Sequence, residues 1–229
     1  LRDTHSCNIR KPWCKRCAKC AYVWLGYMAY RKKDFATART HFQDYVKLAD
    51  RMVAIQPGKT RYLREQGYAQ GNLCALALTA DQKDMKLAET ACQAAVDAKT
   101  NVVRLAAKDG SAYADLANSY GWLGDAFKAS GDRDKARAAY RKSAEVVDEA
   151  IRQDPRNLDY RDVWVTRQFA LADMEHDDGR IDIALNRLRQ ARNAIADMIR
   201  RDPTNQLWRE RLTQLNRKLT SLDKAKKEK

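Results

Sequence analysis

Material for turns is scarce in this sequence: 9 glycines and 4 prolines in 229 residues. The prolines stand at 12, 57, 155 and 203, so long stretches run without any breaker. A sheet with many hairpins needs more punctuation, whereas helices of about twenty residues need little. No run of 18 apolar residues occurs, which excludes a membrane-spanning helix. Histidine is rare and scattered, at 5, 41 and 176, so neither a Cys/His nor a Ser/His/Asp arrangement can be assembled. With no strands expected, no glycine-rich phosphate loop can follow one. These absences point away from catalysis and toward a non-enzymatic, all-helical chain.

Charge is present but unevenly placed. Residues 1–33 carry nine Lys/Arg against one Asp, and residues 209–229 carry eight against three acids, so the ends hold nearly all of the net +14. A nucleic-acid-binding domain spreads its cations over a folded face, whereas basic ends read as solvated tails. A basic module contacting nucleic acid is therefore the weaker alternative, and a protein or peptide the expected partner.

What the sequence has instead is a repeat. Four segments align: Asp34-Phe-Ala-Thr-Ala38-Arg-Thr-His-Phe42, Asp84-Met-Lys-Leu-Ala88-Glu-Thr-Ala-Cys92, Asp132-Arg-Asp-Lys-Ala136-Arg-Ala-Ala-Tyr140 and Arg180-Ile-Asp-Ile-Ala184-Leu-Asn-Arg-Leu188. Their alanines are spaced by about 48 residues, each with an apolar residue one helical turn later on the same face. Pro57, Pro155 and Pro203 follow at a fixed distance, and Tyr62, Tyr160 and Trp208 after them. An alanine held at one register marks where two helices cross too closely for a larger side chain. Each repeat is then a hairpin of two helices whose apolar faces are covered by the next hairpin.

The pattern yields nine helices, over 13–32, 34–56, 60–81, 83–107, 111–130, 132–153, 158–178, 180–201 and 205–223. The last has no partner helix, and its polar face is expected to close the stack. Gly110, Gly131 and Gly179 fall where helix stops are expected. The expected fold is all-α: an α-solenoid of about four antiparallel hairpins plus a C-terminal capping helix, spanning 21–223. A basic, cysteine-rich segment (1–20) precedes it and a basic tail (224–229) follows.

Two repeats carry a family likeness. Trp24-Leu25-Gly26-Tyr27 with Phe35, Ala38 and Phe42, and Tyr120-Gly121-Trp122-Leu123-Gly124 with Phe127, Ala136 and Tyr140, resemble the tetratricopeptide repeat (TPR) signature. In it, Leu-Gly on the first helix packs against a small residue and an aromatic on the second. The fourth repeat keeps Leu171-Ala172, Gly179 and Ala184; the second is worn, with Ala75-Leu76 in place of Leu-Gly. The period of about 48 exceeds the usual 34 by two turns on each of two helices. With the Asp-Pro-x-Asn breaks at 154–157 and 202–205, the chain is similar to long-helix arrays attached to bacterial signalling and effector proteins.

That resemblance implies a non-catalytic interaction or sensory scaffold, cytoplasmic, and part of a larger protein. Carried over by position, it places Tyr27, Tyr30, Asn118, Asp125, Lys128, Phe169 and Asp173 on a partner-binding groove. Val23 and Tyr27 stand where the clamp for acidic chaperone tails carries other residues, which argues against that ligand. The acids of the Asp173-Met-Glu175-His176-Asp177-Asp178 turn read as solvated helix-end groups rather than a metal site.

One candidate metal site stands apart. Cys7, Cys14, Cys17 and Cys20 are spaced C-x6-C-x2-C-x2-C, which suits tetrahedral zinc. The run from His5 is similar to structural zinc clusters of some ATP-pyrophosphatase-type enzymes. The alternatives are disulfides, or free thiols buried along a helix. Structural zinc is thus the one candidate cofactor, and Cys74 and Cys92 are expected to be packing residues.

Overall fold

The structure, a computed structural model, describes residues 18–79 and 83–227. Among the described residues there are nine α-helices and no strands. The chain divides after Leu105 into two compact units. The first holds α1 (Ala18–Arg31), α2 (Phe35–Ile55), α3 (Thr60–Thr79) and α4 (Met85–Leu105). The second holds α5 (Gly110–Ser130), α6 (Arg133–Gln153), α7 (Leu158–Asp177), α8 (Ile181–Arg201) and α9 (Gln206–Lys227). Within each unit every helix packs on the one before it, so the pairs α1–α2, α3–α4, α5–α6 and α7–α8 are the four expected hairpins.

Local chemistry sets the helix ends. The side chains of Asp34 and Asp132 accept hydrogen bonds from the amides three residues on, capping α2 and α6. Asp84 does the same for Leu87 at the start of α4. Asp109 and Asn157 cap α5 and α7, and Asn205 accepts from the Trp208 amide. Each cap satisfies an amide that the helix itself leaves unpaired. The fourth repeat breaks the rule: Arg180 stands at the cap position of α8 without a side-chain cap. Gly131 and Gly179 terminate α5 and α7 at positive φ, as expected of helix stops. Lys33 holds that conformation at the same register of the first repeat. Gly110 departs from expectation, opening α5 instead of closing a helix.

The aligned alanines lie at the crossings. Ala38, Ala88, Ala136 and Ala184 are all fully buried. Beside them the Leu-Gly dipeptide shows its purpose. A Cβ on Gly26 would sit 2.5 Å from the Phe42 ring, and one on Gly124 2.5 Å from the Tyr140 ring. The aromatic of the second helix thus lies directly on the backbone of the first, and only glycine leaves room.

The second repeat solves the crossing covalently. Cys74 on α3 and Cys92 on α4, expected as mere packing residues, form a disulfide with Cα atoms 5.1 Å apart. In the second unit, α9 contributes Trp208, Leu215, Leu219 and Leu222 to a core shared with α7 and α8. Most of its described outer positions are polar, with Leu207 exposed among them.

Candidate functional site

In the second unit the first helices of the two hairpins, α5 and α7, and the capping helix α9 are tied in succession. Arg167 of α7 lays its guanidinium over Gly121 of α5, where a Cβ would come within 2.4 Å of it. Burial lowers the pKa of Arg167, opposed by the nearby Asp125 carboxylate. Asp125 in turn accepts a 2.6 Å hydrogen bond from the Tyr140 hydroxyl. Burial, with that bond second, drives the Tyr140 phenol well above its ordinary pKa. From α7 to α9 run two ion pairs, Asp162 with Arg211 and Asp173 with Lys218.

Much of helix α5 is buried, and one of the faces it leaves accessible carries Asp115, Asn118, Trp122 and Asp125. These positions recur at i, i+3, i+7 and i+10, a single helix face. Trp122 is 40% exposed there, a large aromatic presented to solvent.

Four of the sequence-expected residues lie on or beside this surface. Asn118 and Asp125 lie on the stripe itself, both half-buried. Lys128, exposed at the last turn of α5, is close enough to Lys218 for its charge to help lower that lysine's pKa, after burial. Asp173, on α7, is held by Lys218. Phe169, on α7, is half-buried and packs against the core of the second unit.

The first unit presents its own first-helix surface. Tyr27 is 46% exposed, with the Arg31 guanidinium 6.0 Å from its ring centroid. Tyr30 is half-buried; its hydroxyl donates to Thr79 Oγ1 at 3.1 Å and its ring meets Phe35 edge-on. Tyr30 therefore ties α1 to α3 as well as facing outward.

Sequence reasoning missed Trp122 as a surface group, because the Trp-Leu-Gly segment was ascribed to packing. The signal was available: Trp24 stands two repeats earlier at the same register, and it too is exposed, at 52%. The acids before α8 were also misread. Glu175 is 2% exposed and paired with Arg180, with Arg141 at 3.8 Å. Asp178 gathers Arg133 at 2.9 Å, Arg180 at 2.6 Å and Arg137. These groups clamp α6 to the turn between α7 and α8 and are not solvated ends.

Of the four-cysteine run, Cys7, Cys14 and Cys17 lie outside the described residues and Cys20 falls within α1. Among the described residues no group of three or more His, Cys, Asp or Glu could hold a metal ion. No helix among them is long and apolar enough to cross a membrane.

The family model of the tetratricopeptide repeat matches residues 117–146, the α5–α6 hairpin with Trp122, Gly124, Ala136 and Tyr140. The expected resemblance to this family therefore holds in that hairpin, and repeats of this type mediate protein–protein interaction. A search of the curated proteins finds none that matches the chain. Among solved structures the chain is similar to TTC0263, a thermophilic TPR protein of Thermus thermophilus. That likeness has 16% identity over 86% of this chain and 98% of that one, at a TM-score of 0.39. It is also similar to BtubC (BKLC) of P. vanneervenii, with 14% identity over 83% and 84% of the two chains and a TM-score of 0.41. MamA aligns with 17% identity over 77% of this chain and 97% of its own, at 0.34.

Proposed function

We propose that this chain is a non-catalytic scaffold that binds another protein on the first-helix face of its second unit. The observation that carries the reading is the accessible stripe of α5, where Trp122 stands exposed between Asn118 and Asp125. An exposed tryptophan flanked by hydrogen-bonding groups is the composition of an interface anchor: large apolar area at low entropic cost, with polar neighbours that fix register. The residues around it are already ordered. Arg167 is wedged on Gly121 and Asp125 is held by Tyr140, so a partner meets a preformed surface. Lys128 and Asp173 border the same face, and Tyr27 and Tyr30 offer a separate one on the first unit.

The repeat match in the same hairpin supports the reading, since the family resemblance places first-helix residues on the partner-binding groove. The basic ends then act as solvating segments, and nucleic acid is not the ligand.

The test is site-specific photo-cross-linking in the cells that make the protein. A photoreactive amino acid at position 118 or 122 should trap one defined protein, and the same group at Lys142, on α6, should not. Equal trapping from the two faces, or trapping of nucleic acid, would contradict the proposal.

A further inference from the structure

Cys74 and Cys92 occupy a telling position in the repeat. Cys92 aligns with Phe42, Tyr140 and Leu188, the residues four after the crossing alanine. In the first and third hairpins that residue is an aromatic ring seated on a first-helix glycine, Gly26 or Gly124. The second hairpin has neither aromatic nor glycine there: Leu76 stands in place of the glycine and Cys92 in place of the ring. The worn repeat has lost its packing clamp and has a covalent one in its stead, between two cysteines with no solvent exposure.

We infer that this chain is a substrate of oxidative folding, its α3–α4 hairpin being closed by dithiol oxidation in an oxidising compartment. The Cys74 and Cys92 thiols form one S–S bond, giving up two protons and two electrons. A protein disulfide accepts them by exchange through a mixed disulfide and leaves as a dithiol. Because neither sulfur is accessible in the closed hairpin, the exchange precedes closure. Once buried, the bond is beyond the reach of an attacking thiolate, which makes it a permanent staple and not a switch. Such bonds form and persist outside the reducing cytosol, so the inference places the chain there and not in the cytoplasm that the family resemblance suggested.

The experiment takes the protein from its producing cells, with an alkylating agent present during denaturing lysis, and maps its peptides without reduction. The expected result is a linked pair of peptides containing Cys74 and Cys92, neither alkylated. Finding both cysteines alkylated would overturn the inference. A second measurement compares melting of the oxidised chain with that of the chain reduced in denaturant and refolded under reductant. The bond closes a loop of 18 residues, so reduction should lower the transition of the first unit by roughly 12–24 °C. The double variant Cys74→Ala, Cys92→Ala should melt like the reduced chain and ignore reductant. Equal melting of oxidised and reduced chains, or equal reductant sensitivity in the double variant, would remove the staple role.

Discussion

At the scale of single residues, small side chains decide where helices can meet. Gly124 lies under the Tyr140 ring, and that ring cannot retreat because Asp125 holds its hydroxyl. Gly124→Ala should therefore destabilise the second unit by about 1–3 kcal/mol, the usual cost of overpacking a tight crossing. Gly71 gives the opposite sign: it sits inside α3 with nothing within 4 Å of an added Cβ. Gly71→Ala should stabilise by about 0.5–1 kcal/mol through helix propensity alone. Lys33 is a third case, an L-residue at φ 61 where the third and fourth repeats place glycine. Lys33→Gly should stabilise the first unit by about 0.5–1 kcal/mol, since the left-handed region costs a side chain more than glycine's extra chain entropy. Thermal melts of the three variants check signs and sizes together. The glycine–aromatic pairs were legible in the sequence, because a size constraint leaves a residue-type signature. Trp122 was not read correctly, because its motif neighbours are packing groups and sequence does not show which way a helix face turns.

Between elements, ion pairs join hairpins alongside the apolar cores and carry a pH signature. Hydrogen bonding to Arg133 first, with the charges of Arg137 and Arg180 adding, holds the Asp178 carboxyl below its usual pKa. Asp34 and Asp132 are lowered as well, first by the side chains of Thr37 and Lys135 and then by the capping amides, and Asp84 first by the Leu87 amide it caps. A carboxyl whose folded pKa is depressed adds stability that is fully present above its unfolded value, near 3.9, and is lost as pH falls through the folded one. Asp162 and Asp148 are raised, chiefly by burial, and contribute with the opposite sign, favouring the folded state as pH falls. Melting temperature should hold between pH 7 and about 5 and then drop through the carboxylate range. Asp178→Asn should melt lower than the parent at pH 7 and lose less on acidification; a parallel pH curve would show that Asp178 is not a significant link. Helix positions were legible from the 48-residue period. The partners of Glu175 and Asp178 were not, because Arg133, Arg137 and Arg141 lie some forty residues away and nothing in the local pattern pairs them.

Over the whole molecule, periodicity produced the architecture and said little about cross-links. Nine helices and four hairpins follow from alanine spacing and proline breaks because each repeat solves the same burial problem in the same register. The division after Leu105 left no comparable mark in composition, and the disulfide was hidden because two cysteines at core positions read equally well as packing. The charge distribution agrees with the proposed binding surface: a nearly neutral body lies between basic ends. The most direct test takes the partner trapped from α5 in purified form. Its affinity is measured for the full chain, for a chain lacking residues 1–12 and 224–229, and for Trp122→Ala, each at 50 and 200 mM salt. The account predicts that trimming leaves Kd within about twofold, that salt changes it little, and that Trp122→Ala weakens binding roughly 30-fold, as loss of an aromatic anchor does. Binding that disappears on trimming, falls about 10³–10⁵-fold between the two salt concentrations as a phosphate-contacting surface would, and ignores Trp122 would contradict it.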